Sequence, residues 1–441
     1  MNEKEVKLLG WLQNPEEEWD AEDFAVAGSI GCFDERCADE IHKDHKLNGK
    51  SYGKKELDWE VTKELIMKVT SGKGHGAALD PTFFAFGINN VSRASTLFLC
   101  GPQYEGHLQQ SLRRATADRG FHIPDEMNSE GIDLMHEQFD FYGKMCEADV
   151  PTEDARNILP LYTKTTILSF GGARELNHLH SMSKRPGVPS EVKDTMAKMH
   201  AEASKVAPKI LADRGTNYET LSWMPSPQLF ALKNKTIEDI IDGRIPLDAK
   251  SIMLDNSGPA MSSDAVKDAV MGRNESELAN LKHYHFSFLA PMSLSSFHQA
   301  TRQRTWDQSV QSIYSAVERR EIVIPPSVEE KGFADKFHDL SQRSLDYVLN
   351  NGGPEDIGVV PHSLQVYDLI HVNGWNAVHS IGKRTCDKAQ WEIRGIAKSM
   401  ARSIRSVSPE IGQYAVPQGI TYGGCPEAVS CGKCPEKKII S

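Results

Sequence analysis

At 441 residues the chain is longer than one hydrophobic core comfortably serves, which points to two or more domains. Its 39% hydrophobic and 25% charged content fits a folded globular protein and excludes a disordered or collagen-like chain, and no apolar run reaches the ~18–20 residues that span a bilayer. A net charge of −11 excludes a surface coated in cations for nucleic acid but leaves room for a small anion gripped by a few arginines, and eight cysteines are too sparse for a disulfide scaffold.

From Met1 to Lys7 the chain is charged, without the apolar segment of a secretory leader, so the expected location is cytoplasmic, with neither membrane nor nucleic acid as a partner. Trp11 to Pro15 opens the first half, and a charged stretch from Asp34 to Lys55 follows. Gly74-His75 to Asp80-Pro81 precedes an alternating segment, Phe83 to Ile88, that reads as a strand. Beyond it come Ser92-Arg93-Ala94, then Gln109-Gln110-Ser111 with Arg113 and Arg114, then Arg156 to Pro160, then Ala173-Arg174-Glu175 and His178. Val192, Met196, Met199, Ala203, Val206 and Ile210 recur at three and four residues and predict a helix with a core-facing stripe.

Past an expected join at Ala212–Leu221 the pattern returns. Trp223 to Pro227 echoes Trp11 to Pro15, which implies about eleven additional residues early in the first half. Phe286 to Leu289 reads as a strand, followed by Gln299, Arg302-Gln303-Arg304, Asn373 to His379, Arg384, and Ala389-Gln390-Trp391-Glu392-Ile393-Arg394. Ile393, Ala397, Met400, Ile404, Val407 and Ile411 form the second helical stripe. A shift of 201 residues aligns the halves without a gap: Ser111 with Ser312, Ile123-Pro124 with Ile324-Pro325, Pro160 with Pro361, His178 with His379 and Glu191 with Glu392. The organisation is therefore 1–215, 216–415 and a Cys/Gly-rich tail, 416–441, and the irregular succession of strands and helices indicates an α+β class. Cys425, Cys431 and Cys434 hint at zinc but show no fourth ligand, so the tail is read as a loose extension and no metal site is assigned.

Any one of these arginines reads as a solvated helix face; the set, in an acidic chain, reads as a phosphate or carboxylate site. The run Ala389 to Arg394, with Arg384 before it, resembles the C-terminal motif of the flavin-dependent thymidylate synthases (thymidylate synthase complementing proteins). Arg302-Gln303-Arg304 resembles that family's Arg-His-Arg flavin motif with glutamine in the middle place. Ser92 to Ala94 and Gln109 to Arg113 resemble the flanks of the same motif, whose centre has become Gly101-Pro102-Gln103. The resemblance covers roughly 60–211 and 277–411, so it implies a tandem fusion of two such domains, each an antiparallel sheet flanked by helices, forming a pseudo-dimer in one chain.

The halves depart from the pattern in complementary ways. Tyr314, Ile357 and Trp375 stand in half two where half one has Arg113, Arg156 and Arg174, and Ser183 stands where half two has Arg384. The resemblance implies one composite type of site, in a homodimer that makes a pseudo-tetramer. It further implies that FAD is held by His75, Arg302, Gln303, Arg304, Arg174, His178, Asn373 and His379. Deoxyuridine monophosphate (dUMP) would be held by Gln109, Gln110, Ser111, Arg113, Arg156, Gln299 and Arg384, with Arg384 and Arg174 nearest the chemistry. The reaction so implied is methylation of dUMP to dTMP with methylenetetrahydrofolate and NADPH. Flavin-dependent modification of another pyrimidine nucleotide, or a nucleotide-binding pseudoenzyme, are the other readings the altered motifs allow.

Overall fold

The computed structural model describes residues 3–50, 57–213, 225–242 and 249–434; most of the expected join at Ala212–Leu221, and Trp223, lie outside the described residues. Strands β1 (Glu5–Trp11), β2 (Phe83–Ser92), β3 (Gly106–Gln109) and β4 (Lys164–Gly172) form one antiparallel sheet in the order β1-β2-β4-β3. Strands β5 (Ile252–Ser257), β6 (His285–Ser293), β7 (Asp307–Val310) and β8 (Gln365–Asn373) form another in the order β5-β6-β8-β7. The helices used below are α1 (Asp23–Gly31), α2 (Trp59–Val69), α3 (Arg93–Leu99), α4 (Ser129–Glu147), α5 (Ala173–Ser183), α6 (Ser190–Ser204), α7 (Leu294–Ala300), α8 (Ala334–Asn351) and α9 (Trp391–Val407). The fold is thus two copies of one α+β topology.

The 201-residue register is literal in the backbone. The β3–β4 pairing of Gly106 with Phe170 recurs as Asp307 with His371, and the isolated bridge Phe121–Thr163 recurs as Ile322–Leu364. The amides of Arg93 and Ala94 donate to the carbonyls of Thr163 and Leu161, as those of Leu294 and Ser295 do to Leu364 and His362. The register slips by one residue at a bulge in β2 between Ile88 and Val91, which β6 lacks, and fails at the first strand of each sheet. Val6 and its partner Ile88 are 82 residues apart, whereas Ile252 and its partner Leu289 are 37 apart. Half one therefore carries roughly 45 more residues there, not eleven, and the Trp11 echo does not mark equivalent strands. The excess is α1, α2 and their connections, which close over the β2 face, with Ala25, Val26, Ile30, Trp59 and Met67 in the same core as Phe84, Phe86 and Ile88. Asp23, wholly buried, organises this insertion: Trp59 Nε1 donates to it (2.6 Å) and Lys63 and Lys46 pair with it (3.1 and 2.6 Å). Burial alone would raise its carboxyl, but the Asp20 backbone, Lys46, Trp59 and Lys63 outweigh burial and hold it at about 2.

Both core stripes expected from periodicity form helices, shorter than the stripes. α6 ends at Ser204 and α9 at Val407, with Ile411 in a separate turn, Pro409–Gly412. Near the start of each helix a buried glutamate reaches the end of the central strand. Ser92 donates to Glu191 through its amide (3.2 Å) and hydroxyl (2.6 Å), and Ser293 donates to Glu392 in the same two ways (both 2.6 Å). Each serine oxygen also caps the helix that follows the strand, accepting from the amide of Ser95 or Ser296 (3.1 Å each).

By contact the chain forms two compact units, and each includes a segment from the other half. The first comprises Met1–His136, Pro160–Pro225 and Asn351–Val359; the second comprises Glu137–Leu159, Ser226–Asn350 and Val360–Ser441. In the first unit, Glu355 caps α6, accepting from the Ser190 amide (2.7 Å) and hydroxyl (2.8 Å) and from the Tyr162 hydroxyl (3.2 Å). In the second unit, Asp154, at the position equivalent to Glu355, accepts from Trp391 Nε1 (2.8 Å) and from Ser327 (2.7 Å). The later part of α4 packs there on α8, with Glu137 paired to Arg343 (2.9 Å) and to Lys336, and Phe141 edge-on to Phe333.

Burial pushes the Glu392 carboxyl above the usual carboxylate range, with the Ser293 bonds pulling the other way. Losing a donor to this buried group is therefore costly. Ser293→Ala is expected to lower unfolding stability by about 1–3 kcal/mol, read from the urea midpoint. A loss below about 0.5 kcal/mol would show that the joint is replaceable.

Candidate active site

In the second unit the Arg302–Arg304 turn follows α7 and faces a helical run built from Gly374–Asn376, a π-turn Ala377–Ile381, and Gly382–Arg384. Three side-chain links join them. Thr305 donates to Asn376 Oδ1 (2.6 Å), and the buried Trp306 donates from Nε1 to Ser380 Oγ (2.7 Å). The third is between Gln303 and Arg384: the amide oxygen of Gln303 accepts from Arg384 Nε (2.8 Å) and Nη2 (2.5 Å). A guanidinium only donates, so the amide must meet it with its oxygen. Asn373 caps the run, accepting from the amide of Asn376 (2.9 Å) and from its Nδ2 (3.0 Å), so Asn373, Asn376 and Thr305 form one chain of bonds.

Gln299 turns back on its own helix, Nε2 donating to the Ser295 carbonyl (3.3 Å). Arg302 is half-buried and Arg304 exposed. His379 is exposed, stacked on Trp375 at 5.5 Å, with Nδ1 3.3 Å from Gln418 Nε2. Arg156, encoded in half one, lies in this second unit, buried, with Nε donating to the Glu153 carbonyl (3.0 Å), two residues after the Asp154 that holds Trp391. The Gln390-Trp391-Glu392-Ile393 run is a set of joints. Gln390 caps α9 by accepting from the amides of Glu392 (2.9 Å) and Ile393 (3.1 Å), Trp391 reaches Asp154, Glu392 reaches Ser293, and Ile393 is core.

In the first unit, His75 precedes the 3-10 turn Gly76–Leu79, which packs on α5. Asp80, closing that turn, stands 3.7 Å from Arg174 Nη1; burial raises its carboxyl and Arg174 pulls it back. Arg174 and His178, four residues apart, share a face of α5. His178 is 7% exposed, and neither ring nitrogen meets a partner among the described residues. Burial, with a contribution from Arg185, lowers it to about 4, so the ring is neutral near pH 7.

The other nominated residues of half one are tied into the fold. Gln109 Nε2 donates to Thr96 Oγ1 (2.9 Å). Gln110 accepts from Arg119 Nε (3.2 Å) on its side chain and from Arg93 Nη2 (2.9 Å) on its carbonyl. Ser111 Oγ accepts from the amide of Arg113 (3.3 Å). The structure thus brings Arg174 together with Asp80 in one unit and Gln303 with Arg384 in the other. Sequence reasoning passed over Thr305, Trp306 and Asn376, whose adjacency to the Arg-Gln-Arg turn and spacing from Asn373 were the available signals. A cavity of about 370 Å³ lies beyond the Thr385–Asp387 turn, between Lys398, Arg402, Arg405 and Cys434, and none of the nominated residues lines it. Among the described residues no group of three or more His, Cys, Asp or Glu could hold a metal ion, and no helix is long and apolar enough to cross a membrane.

The family model of the thymidylate synthase complementing proteins matches residues 20–209 and again 251–410. The chain belongs to this family. A flavin-dependent thymidylate synthase of Geobacter sulfurreducens is 32% identical over 170 residues, 36% of this chain and 72% of that one. Another, of Clostridium tetani, is 27% identical over 185 residues, 36% of this chain and 74% of that one. A crystal structure of a UMP/dUMP methylase, PolB from Streptomyces cacaoi bound with 5-Br dUMP, aligns with a TM-score of 0.38 at 15% identity, over 50% of this chain and 97% of that one. As an enzyme of the thymidylate synthase complementing protein family, the chain carries the family match twice.

His178 titrates in a window set by its shift. Because its folded value of about 4 lies below the ordinary 6.5, the unfolded chain binds the extra proton between those limits, so this contribution is complete above pH 6.5 and is lost as pH falls toward 4. His178→Gln is expected to flatten the stability-against-pH slope there by up to about one proton, measured by urea unfolding at stepped pH. An unchanged slope would place His178 in water.

Proposed function

We propose that the chain catalyses flavin-dependent methylation of dUMP to dTMP, with methylenetetrahydrofolate as the methylene donor and NADPH as reductant. We further propose that its surviving sites draw residues from both halves, 1–215 and 216–415. The observation that carries the composite reading is Arg156: it is encoded in half one, yet it packs in the second unit with the Trp391 and Glu392 turn. Half two has Ile357 at the equivalent position, fully buried in the first unit. The two equivalent positions thus hold an arginine in one unit and an aliphatic side chain in the other. The flavin-dependent thymidylate synthases named above support the flavin and the nucleotide.

Residues within each unit suit a flavin by their chemistry. In the second unit Arg302 and Arg304 supply planar donors suited to a diphosphate; in the first, His178 is a buried polar ring whose nitrogens meet no described partner, neutral at pH 7 and so able both to donate and to accept. Bound FAD would carry the reducing equivalents from NADPH to the one-carbon unit. The chain's own part is orientation and charge. Arg384 and Arg156 would grip the nucleotide, and a guanidinium beside the pyrimidine carbonyl would stabilise the charge that builds on the ring. Arg174, held by Asp80, and His75 would border the flavin and folate. A homodimer forming a pseudo-tetramer and a cytoplasmic location complete the proposal.

One surviving site type makes a stoichiometric prediction. Purified protein saturated with FAD should hold about one flavin per chain, absorbing near 450 nm and bleaching with NADPH. About two per chain would contradict the division of labour, and protein that takes up no FAD would contradict the flavin-dependent reading.

A further inference from the structure

Within the Arg-Gln-Arg turn, the middle residue faces the protein. The side chain of Gln303 spans to Arg384, eighty-one positions on, and its oxygen takes two donors from the Nε–Nη2 edge of the guanidinium. Two bonds to one edge of a planar group fix both the plane and the direction of the group. The adjacent Nη1–Nη2 edge is thereby aimed, and the partner that aims it is neutral, so Gln303 itself adds no negative charge beside the guanidinium. The turn is anchored just past this contact, by Thr305 on Asn376 and by Trp306 on Ser380, so Gln303 is presented from a fixed backbone.

We propose that Gln303 is a positioning residue for nucleotide binding: it holds the Arg384 guanidinium in the orientation that grips the pyrimidine nucleotide, and makes no essential contact with flavin. This rests on the nucleotide reading of Arg384 given above. The physical benefit is pre-organisation. An arginine loses several rotatable bonds when it grips a ligand, and a side chain already locked by an internal partner does not pay that ordering cost on binding. The identity of the partner matters as much as its reach. A carboxylate at 303 would hold the same edge but offset the charge an anionic ligand requires, and an apolar side chain of similar length would leave the guanidinium to sample other rotamers.

The test compares dUMP and FAD affinities of the full-length chain and of Gln303→Met, Gln303→Glu and Arg384→Lys, measured separately by isothermal titration. Gln303→Met should weaken dUMP by about ten-fold or more while FAD affinity stays within about two-fold. Gln303→Glu, which retains an acceptor, should also weaken dUMP, and so serves as the readout if the methionine variant fails to fold. In an Arg384→Lys background, Gln303→Met should add little, because lysine cannot present two donors to one oxygen in a plane. Weakened FAD with unchanged dUMP, or full additivity with Arg384→Lys, would overturn the proposal. A wild-type chain that binds no pyrimidine nucleotide would overturn the functional reading as well. A wild-type chain that binds dUMP and is indifferent to both Gln303 variants would overturn the positioning role alone.

Discussion

A carboxylate buried at the meeting of strand and helix organises each copy of the fold. Glu191 and Glu392 each take two hydrogen bonds from a single serine at the end of the central strand, through its amide and its hydroxyl. Bonds to a charged acceptor contribute about 1.5–3 kcal/mol where neutral ones contribute about 1, and here they offset the cost of removing the carboxylate from water. The serine in turn caps the next helix, so one residue fixes where the strand ends, where the helix starts and which way it leaves. The loops that follow those helices, including the Arg302–Arg304 turn, inherit their positions from that joint.

The joint also changes how the Gln390-Trp391-Glu392-Ile393 run is understood. It is the most recognisable string in the chain, and each of its four side chains is used inside the protein: a cap, a tie to Asp154, the carboxylate joint and a core residue. Through Trp391 and Asp154 it also fixes the turn that carries Arg156. Asp154 in the second unit and Glu355 in the first occupy equivalent positions 201 residues apart, and each reaches the start of a helix from the other half. Repeat and compact unit are therefore different divisions of the chain, and residues of each half pack within the unit built mainly from the other.

Much of this was legible in the sequence. Alternation of apolar residues marked β2 and β6, and the three-and-four spacing marked both helical stripes, because those side chains face a core; β4 and β8 carried no such mark. The first strand was not legible. Five residues around Trp11 and Trp223 looked alike, but strand pairing is decided by long-range partners, and the insertion built around Asp23 separates Val6 from Ile88 without leaving a repeat to detect. Among the candidate residues, Arg156, Arg174, His178 and Arg384 could be named from the sequence by type and approximate neighbourhood. The partner of Gln303 could not, since a side chain's direction at a turn depends on Trp306 and Thr305 anchoring the backbone from outside the motif.

Division of one site between two fused copies is the central claim, and a double-mutant cycle on dUMP affinity tests it most directly. Arg156→Ala comes from half one and Arg384→Ala from half two. If both guanidinia grip one nucleotide, the two losses are coupled and the double variant falls short of their sum by about 1 kcal/mol or more. Losses that add within about 0.5 kcal/mol, or an Arg156→Ala variant that binds dUMP as the wild type does, would contradict a site shared between the halves.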